Sequence, residues 1–285
     1  MSIDRKINRI QFLTGNSLKF IAVLTMVIDH LCKIVLQWLL SNYWGSMVDN
    51  EQMSWERFQE IDNLIRFDLQ SIGTIAFPLF CFLLAEGFQH TRSKKRYIGL
   101  MLAFALISEI PFDIGFFSAY SRMEGTFPFY LKYQNVFFTL FLGLLTLVCL
   151  ERFSCESDLP VDRIKSVVLQ VLSVVLFSSI AEGIRCDYGM QGILFISAFY
   201  ICRNHRIYQV LLFLLAYMGA TGNQPPLCTL LAGLLILLYN GKRGKIEAEI
   251  LLLCFLSSTY PCPVFDSGRT RKILAEMTNC SLSRN

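Results

Sequence analysis

Long apolar stretches alternate with short polar segments along most of the chain. A helix needs about 20 mostly apolar residues to cross the roughly 30 Å hydrocarbon core of a bilayer. By that criterion the pattern predicts candidate membrane spans near residues 18–40, 70–90, 97–118, 134–151, 164–182, 187–202, 207–221, 225–240 and 247–264. The predicted fold is therefore an all-α, polytopic membrane helix bundle with about eight or nine transmembrane helices.

The charged residues of the connecting segments indicate how this bundle is oriented. If the N-terminus lies in the cytoplasm, every inside loop carries at least two Lys or Arg residues, and the inside segments hold 16 of them against five in the outside segments. Because cytoplasmic loops of membrane proteins are enriched in Lys and Arg, we predict a cytoplasmic N-terminus. The long outside segment 41–69 is predicted to contain a short amphipathic helix that lies at the membrane interface.

The composition agrees with a membrane protein and excludes several soluble classes. Hydrophobic residues make up 54% of the chain and charged residues 17%, whereas soluble domains have about 25% charged residues. The 26 Lys and Arg residues exceed the 22 Asp and Glu residues by only four, and most of them lie in inside loops. We therefore predict no nucleic-acid partner. Ten scattered cysteines without a CxxC motif and three histidines do not indicate a metal site.

Ionisable residues at membrane depth are costly, so each of them is a candidate functional residue. Asp29 and His30 lie in the middle of the first span, and Lys33 follows Asp29 by one helical turn. The simplest interpretation of Asp29 and Lys33 is a neutral pair that fixes packing. His30 can take up and return a proton near neutral pH, which makes it a candidate general base.

A second group of polar residues ends the second span. Glu86 and His90 are four residues apart and can touch. The loop that follows contains the basic residues Arg92, Lys94, Lys95 and Arg96. Such a cluster marks a cytoplasmic loop, and it could also bind phosphate groups.

The third and fourth spans and a later turn carry further polar residues. Glu109 and Asp113 are like charges one turn apart around Pro111, which suggests the wall of a cavity. Asn135 near the start of the fourth span and Asp187 in the turn before the sixth are open to either a structural or a functional reading.

Several short blocks of sequence occur in an order known from one bacterial family. They comprise residues 18–22, 29–30, 75–82, 86–92, 108–113, 135–139, 187–189 and 239–244. Over about residues 14–245 the chain thereby resembles the TraX family, which includes the conjugative F-pilin acetylation protein. That family is similar to integral-membrane acyltransferases that use acyl-CoA.

The resemblance implies an enzyme of the bacterial inner (cytoplasmic) membrane that crosses the bilayer several times. It would transfer an acetyl or other acyl group from acyl-CoA to a pilin N-terminus, a peptide or an envelope glycan. Acetyl-CoA would be the co-substrate, and no tightly bound cofactor or metal is expected. The competing hypothesis is a proton-coupled membrane transporter, because intramembrane Asp, Glu and His also form proton relays. A passive partner in pilus or secretion assembly is a third hypothesis.

The resemblance also implies roles for the polar residues. His30 would be the catalytic base, and Asp29 would orient it or balance its charge. The basic residues that would bind the phosphates of CoA are Arg92, Lys94, Lys95 and Arg96. The residues that would face the acceptor are Glu86, His90, Glu109, Asp113, Asn135 and Asp187. Asn135 is also a candidate donor to the oxyanion of the transfer step.

The C-terminal segment departs from the family pattern. We predict a TraX-like transmembrane acyltransferase domain over residues 1–245 and an atypical segment over residues 246–285. The resemblance implies a final span with a Phe-Tyr-Pro-x-His motif, which this chain lacks. Permitted codons for residues 255–265, read one base out of frame, encode Phe-Tyr-Pro-Val-His. Our hypothesis is that residues 246–285 arise from a frameshift, which the nucleotide sequence would test.

Overall fold

A computed structural model describes residues 11–50, 52–155 and 159–244 of the chain. Within these ranges the chain is helical and contains no strands. The principal helices are α1 (Gly15–His30), α2 (Trp55–Asn63), α3 (Ala76–His90), α4 (Lys94–Glu124), α5 (Val136–Arg152), α6 (Pro160–Gly183), α7 (Gly189–Ile201), α8 (Arg206–Thr221) and α9 (Leu227–Leu237). The ninth candidate span, 247–264, and the segment 246–285 lie outside the described residues.

The described helices coincide with the first eight candidate spans, but their lengths differ. The helical stretches that are long and apolar enough to cross a membrane are Trp55–His90, Lys94–Glu124 and Pro160–Gly183. Helices α7, α8 and α9 are apolar but contain only 13, 16 and 11 residues, fewer than the about 20 of a straight crossing. The structure therefore supports an all-helical, apolar bundle, and the number of crossings stays a prediction.

The predicted outside segment 41–69 belongs to a helical hairpin, which the sequence pattern did not predict in full. Helix α1 continues beyond His30 to Asp49 with π-helical turns, and α2 continues through another π-helical turn to Gly73. These extensions pack on each other through Cys32 and Ile65. We call residues 31–50 and 52–73 the distal hairpin. The predicted amphipathic helix is present as α2, but it packs against the extension of α1.

Helices α3 and α7 form the centre of the bundle. Helix α3 packs against α1, α5, α7 and α9, and α7 packs against α3, α5, α6 and α8. The rings of Phe82 and Phe199 meet edge to face with centroids 5.5 Å apart. A side chain at Gly192 would overlap Thr139 and Phe77. This glycine therefore lets α7 approach α3 and α5 closely, as small residues do in membrane bundles.

The outer helices expose apolar side chains. On α4 the exposed apolar residues include Leu100, Leu106, Ile107 and Ile110. On α6 they include Val161, Ile164, Val167, Val168, Leu169, Val171, Leu172, Val175, Leu176 and Ile180. Apolar faces of this extent would be costly in water and suit contact with lipid.

Contacts between the helix termini divide the bundle into two ends. At one end the start of α1 is joined to the end of α9 by a hydrogen bond of 3.0 Å from the Leu13 backbone N–H to the Leu238 carbonyl. Lys94 at the start of α4 pairs there with Glu151 at the end of α5. We call this the basic end, because its loops carry most of the cations. The opposite end holds the distal hairpin, the α4–α5 loop and the α6–α7 turn.

Candidate functional site

A cavity of about 290 Å³ lies toward the opposite end, among α1, α3, α4 and α5. Its polar lining residues are Asp29, His30, Lys33, Tyr133, Asp187 and Tyr188. Its phenylalanine lining residues are Phe77, Phe80, Phe112, Phe116, Phe117 and Phe137. Apolar walls with a few convergent polar groups are typical of sites for small ligands. We call it the His30 cavity.

The backbone of α1 holds the imidazole of His30. The Nδ1 atom lies 2.9 Å from the carbonyl oxygen of Met26. Because a carbonyl can only accept, Nδ1 carries the hydrogen, and the lone pair of the neutral ring is on Nε2. The edge of the ring meets Phe116, with centroids 5.4 Å apart. This tautomer leaves Nε2 as the nitrogen that could take a proton from an acceptor.

Asp29 is held by Lys33 rather than by its sequence neighbour His30. Its Oδ2 atom accepts a hydrogen bond of 2.8 Å from Lys33 Nζ, whereas Oδ2 lies 3.7 Å from His30 Nδ1. The longer distance is beyond hydrogen-bonding range. The orienting contact predicted for Asp29 is therefore made by the Met26 carbonyl. Asp29 is still close enough to balance a positive charge on His30.

The distal hairpin packs closely against Asp29 through Gly73. Gly73 is buried, and a side chain there would overlap the Asp29 carboxyl. A glycine at this position thus allows the hairpin to close over the charged residues of α1.

Asp187 reaches the cavity from the turn between α6 and α7. Two backbone hydrogen bonds join this turn to the loop before α5. The Gln134 N–H donates to the Arg185 carbonyl at 3.1 Å, and the Asp187 N–H donates to the Gln134 carbonyl at 2.9 Å. Tyr133 Oη donates to Asp187 Oδ1 at 3.2 Å, and the Thr139 hydroxyl donates to the Asp187 carbonyl. Two irregular segments therefore position one carboxylate in the cavity.

The next residue, Tyr188, completes this wall. It adopts a left-handed backbone conformation with φ of 61°. Its ring stacks on Phe77 with centroids 3.7 Å apart. Tyr188 thereby connects the turn to the central helix α3.

Glu109, Asp113 and Asn135 form a clasp between α4 and α5 and do not belong to the lining of the His30 cavity. Asp113 Oδ2 accepts from the Tyr130 N–H at 2.8 Å. Glu109 Oε2 accepts from the backbone N–H and the side-chain amide of Asn135. We call these contacts the α4–α5 clasp. The two acidic residues fasten the wall of the cavity instead of facing its interior.

Both the nitrogen and the oxygen of the Asn135 side-chain amide form hydrogen bonds within the protein. Its Nδ2 donates to the Ala105 carbonyl at 2.8 Å as well as to Glu109. Its Oδ1 accepts from the Phe137 N–H at 2.9 Å and so caps α5. Both amide hydrogens therefore have acceptors within the protein, and the role of Asn135 at an oxyanion stays a prediction.

Glu86 and His90 lie at the basic end, away from the His30 cavity. Glu86 Oε1 accepts from Arg206 at 2.9 Å, and His90 Nε2 is 3.5 Å from Glu86 Oε2. The Arg206 guanidinium lies 4.9 Å from the centre of the Phe82 ring. These contacts join α3 to α8, and the structure does not bring the two residues into contact with the other predicted site residues.

The basic cluster also lies at the basic end. Lys94 pairs with Glu151 and sits 4.7 Å from the centre of the Phe88 ring, while Arg92, Lys95 and Arg96 are exposed. Helix α3 has 15 residues, so it separates this cluster from the level of Ala76 by roughly 22 Å at 1.5 Å per residue. The cluster and His30 therefore occupy opposite ends of the bundle.

Three polar lining residues, Lys33, Tyr133 and Tyr188, were not identified as site residues from the sequence. Tyr133 lies in a loop without hydrophobic periodicity, and only the backbone pairing with the α6–α7 turn brings it to Asp187. The spacing of Lys33 from Asp29 was a usable signal, but it predicted only a packing pair. In the part of the chain that the structure describes, no three His, Cys, Asp or Glu side chains gather as a metal site.

Comparison with known proteins identifies the family. Residues 14–261 match the family described as TraX protein. The chain belongs to the TraX family. Its match includes all the lining residues of the His30 cavity and extends beyond residue 245, where the TraX-like domain was predicted to end.

A relative of this TraX chain carries a more specific description. The chain is 30% identical over 204 residues to a protein of Dichelobacter nodosus described as a probable fimbrial assembly protein FimC, serogroup H1. The alignment covers 71% of this chain and 68% of the relative. No solved structure matches the chain.

Proposed function

We propose that this TraX protein is an integral-membrane acyltransferase that moves an acetyl or other acyl group from acyl-CoA to an acceptor of the cell envelope. The observation that carries the proposal is His30, held as the Nδ1–H tautomer in a small cavity with an aromatic wall. A pilin or fimbrial subunit is the first candidate acceptor, because the Dichelobacter nodosus relative is described as a fimbrial assembly protein. The acceptor group is an amine or a hydroxyl.

His30 supplies proton transfer in this mechanism. The acceptor attacks the carbonyl carbon of the thioester while Nε2 of His30 takes the acceptor's proton. The carbon–sulfur bond then breaks, and the sulfur leaves with the bonding electron pair. It receives the proton from His30 and departs as the thiol of CoA.

In this proposal the two substrates reach the protein from opposite ends of the bundle. By the positive-inside rule the basic end faces the cytoplasm, where acyl-CoA is present. The exposed Arg92, Lys95 and Arg96 suit its phosphate groups. The thioester end of acyl-CoA, still bonded to CoA, must then reach along the bundle to the His30 cavity, and the acceptor enters from the opposite end. The proposal includes a location in the bacterial inner membrane, with a chain that crosses the bilayer several times.

A purified-protein assay tests the proposal. The full chain in detergent is given acetyl-CoA and a synthetic pilin N-terminal peptide with a free amine. Release of the CoA thiol and acetylation of the peptide, followed by mass spectrometry, are measured together. We expect His30→Ala to lower the rate by about 10²–10⁴-fold, the usual contribution of general acid–base catalysis. The matched control is His205→Ala, because His205 is exposed at the basic end and should leave the rate unchanged.

Two results would contradict the enzyme. One is a wild-type protein that acetyl-CoA does not stabilise in thermal unfolding and that releases no CoA. The other is equal activity of His30→Ala and His205→Ala. If the same protein in liposomes instead moved protons with a solute, and His30→Ala abolished that flux, the transporter hypothesis would replace the acyltransferase.

A further inference from the structure

Both amide hydrogens of Asn135 are donated within the α4–α5 clasp. Another group is therefore needed to stabilise the oxyanion that forms during acyl transfer. Tyr133 lines the cavity, but its hydroxyl hydrogen is donated to Asp187. Lys33 also lines the cavity, and its side chain is 43% exposed. An ammonium has three N–H groups, and the described contact with Asp29 uses one of them. Lys33 is therefore the charged donor of this cavity with hydrogens to offer a ligand.

The local structure keeps Lys33 in place beside His30. It follows His30 by three residues, so the two side chains lie on adjacent parts of the helix surface. The π-helical turn Leu31–Leu36 begins directly after His30, and such turns occur frequently at functional sites. Asp29 Oδ2 accepts a hydrogen bond of 2.8 Å from Lys33 Nζ. Gly73 packs directly against the Asp29 carboxyl. The charge of Lys33 is thus fixed at the cavity wall.

The influence of Lys33 extends across the cavity. Asp29, Lys33 and Asp187 line the same cavity, although Asp187 comes from a different turn of the chain. Lys33 therefore belongs to the cavity wall in addition to forming its pair with Asp29 on the helix surface.

We propose that Lys33 stabilises the oxyanion that forms when the acceptor attacks the acyl carbonyl in the His30 cavity, and that Asp29 positions Lys33. This inference rests on the acyltransferase function proposed above. As the new bond forms, the π electron pair of the carbonyl moves onto oxygen, opposite the ammonium. When the carbon–sulfur bond breaks, that pair re-forms the carbonyl, and CoA leaves as the thiol with the proton from His30. A fixed donor aimed at developing charge is among the largest contributions to catalysis.

The competing explanation is that Asp29 and Lys33 neutralise each other and serve packing alone. Removing one partner would then leave an unpaired charge in a partly buried place. Removing both charges would relieve that problem. The double variant Asp29→Asn with Lys33→Met therefore separates the two explanations, because it leaves no unpaired charge and no oxyanion donor.

The experiment is steady-state kinetics with acetyl-CoA and the pilin peptide. Wild type, Lys33→Met, Lys33→Arg and the double variant are each taken from a monodisperse fraction that acetyl-CoA stabilises in thermal unfolding. We expect Lys33→Met and the double variant to lower kcat by about 10²–10³-fold, as loss of an oxyanion donor does. The KM for acetyl-CoA should stay within about twofold, because the lost contact forms only in the transition state. Recovery of part of kcat by Lys33→Arg would support a role of the charge.

The outcomes distinguish failure of this inference from failure of the proposed function. A double variant with kcat within about tenfold of wild type would overturn the role of Lys33 and leave packing as its function. A wild-type protein that transfers no acetyl group would overturn the acyltransferase itself.

Discussion

Residues with little chemistry of their own hold the charged groups of the His30 cavity. The Met26 carbonyl fixes the tautomer of His30, and Gly73 sets how closely the distal hairpin approaches Asp29. Because Asp29 in turn holds Lys33, a shift at Gly73 would be transmitted to the ammonium. The positions of Asp29 and Lys33 therefore depend on the absence of a side chain at the buried Gly73.

Gly73→Ala tests this dependence. The added methyl group would overlap the Asp29 carboxyl, so the hairpin or Asp29 must move. We expect the free energy of unfolding to fall by about 1–3 kcal/mol, as in other cases of overpacking. We also expect acetyl transfer to fall, because Lys33 loses its fixed partner. Thermal unfolding in detergent and the CoA-release assay measure the two effects.

Gly99→Ala is the matched control for that change. Gly99 lies in α4, and a methyl group there meets no atom within 4 Å. Ala is preferred over Gly within a helix by about 1 kcal/mol, so this variant should be as stable as wild type or slightly more stable. Equal unfolding temperatures for the two variants would show that Gly73 does not constrain Asp29.

At the scale of elements, two irregular segments make the site rather than the helices alone. The loop before α5 and the α6–α7 turn pair through backbone hydrogen bonds and bring Tyr133 to Asp187. The α4–α5 clasp anchors the same loop to α4 through Asn135. The geometry of the cavity therefore depends on the cap of one helix.

Asn135→Ala should weaken this anchor strongly. The change removes the cap of α5, worth about 1 kcal/mol. It also takes a donor from the buried Glu109 carboxyl, at about 1–3 kcal/mol for a buried group that loses a partner. We expect a loss of roughly 2–4 kcal/mol in thermal or denaturant unfolding.

Ser93→Ala provides the comparison for the cap alone. Ser93 is exposed and caps α4 by accepting from the Arg96 N–H at 3.4 Å. Its loss should cost about 0.5–1 kcal/mol. If Asn135→Ala were no more destabilising than Ser93→Ala, the α4–α5 clasp would contribute nothing beyond the cap.

The same elements show what the sequence could predict. Apolar length located the helices of the first eight candidate spans, because burial or lipid contact requires such stretches. It did not predict the distal hairpin, since the acidic segment 41–69 resembles a loop until Ile65 is seen packed against Cys32. The cost of charge at membrane depth led to His30 and Asp29, and the family resemblance led to Asp187. All three line one cavity.

The same signal also selected residues with structural roles. Glu109, Asp113 and Asn135 lie within candidate spans, but their partners are in a loop and on α4. Hydropathy cannot distinguish a carboxyl that faces a ligand from one that binds a backbone N–H. Tyr133 gave no signal, because tyrosines in loops are common and its partner is 54 residues away.

At the scale of the whole molecule, the two ends of the bundle differ in charge and in content. The basic end carries Arg92, Lys95 and Arg96, and the opposite end carries the distal hairpin and the His30 cavity. The proposed reaction takes acyl-CoA from one side of the membrane and the acceptor from the other. The proposed function therefore requires the basic end to face the cytoplasm, where acyl-CoA is present.

Thiol labelling tests the orientation. Cys155 is exposed between α5 and α6 at the basic end, and Met123 is 72% exposed at the opposite end of α4. Because positive loops stay in the cytoplasm, a membrane-impermeant maleimide should label Met123→Cys in intact spheroplasts and Cys155 only after lysis, each identified by its peptide mass. Labelling of Cys155 in intact spheroplasts with protection of Met123→Cys would invert the bundle. The basic cluster would then face away from cytoplasmic acyl-CoA, and the proposed route to His30 would fail.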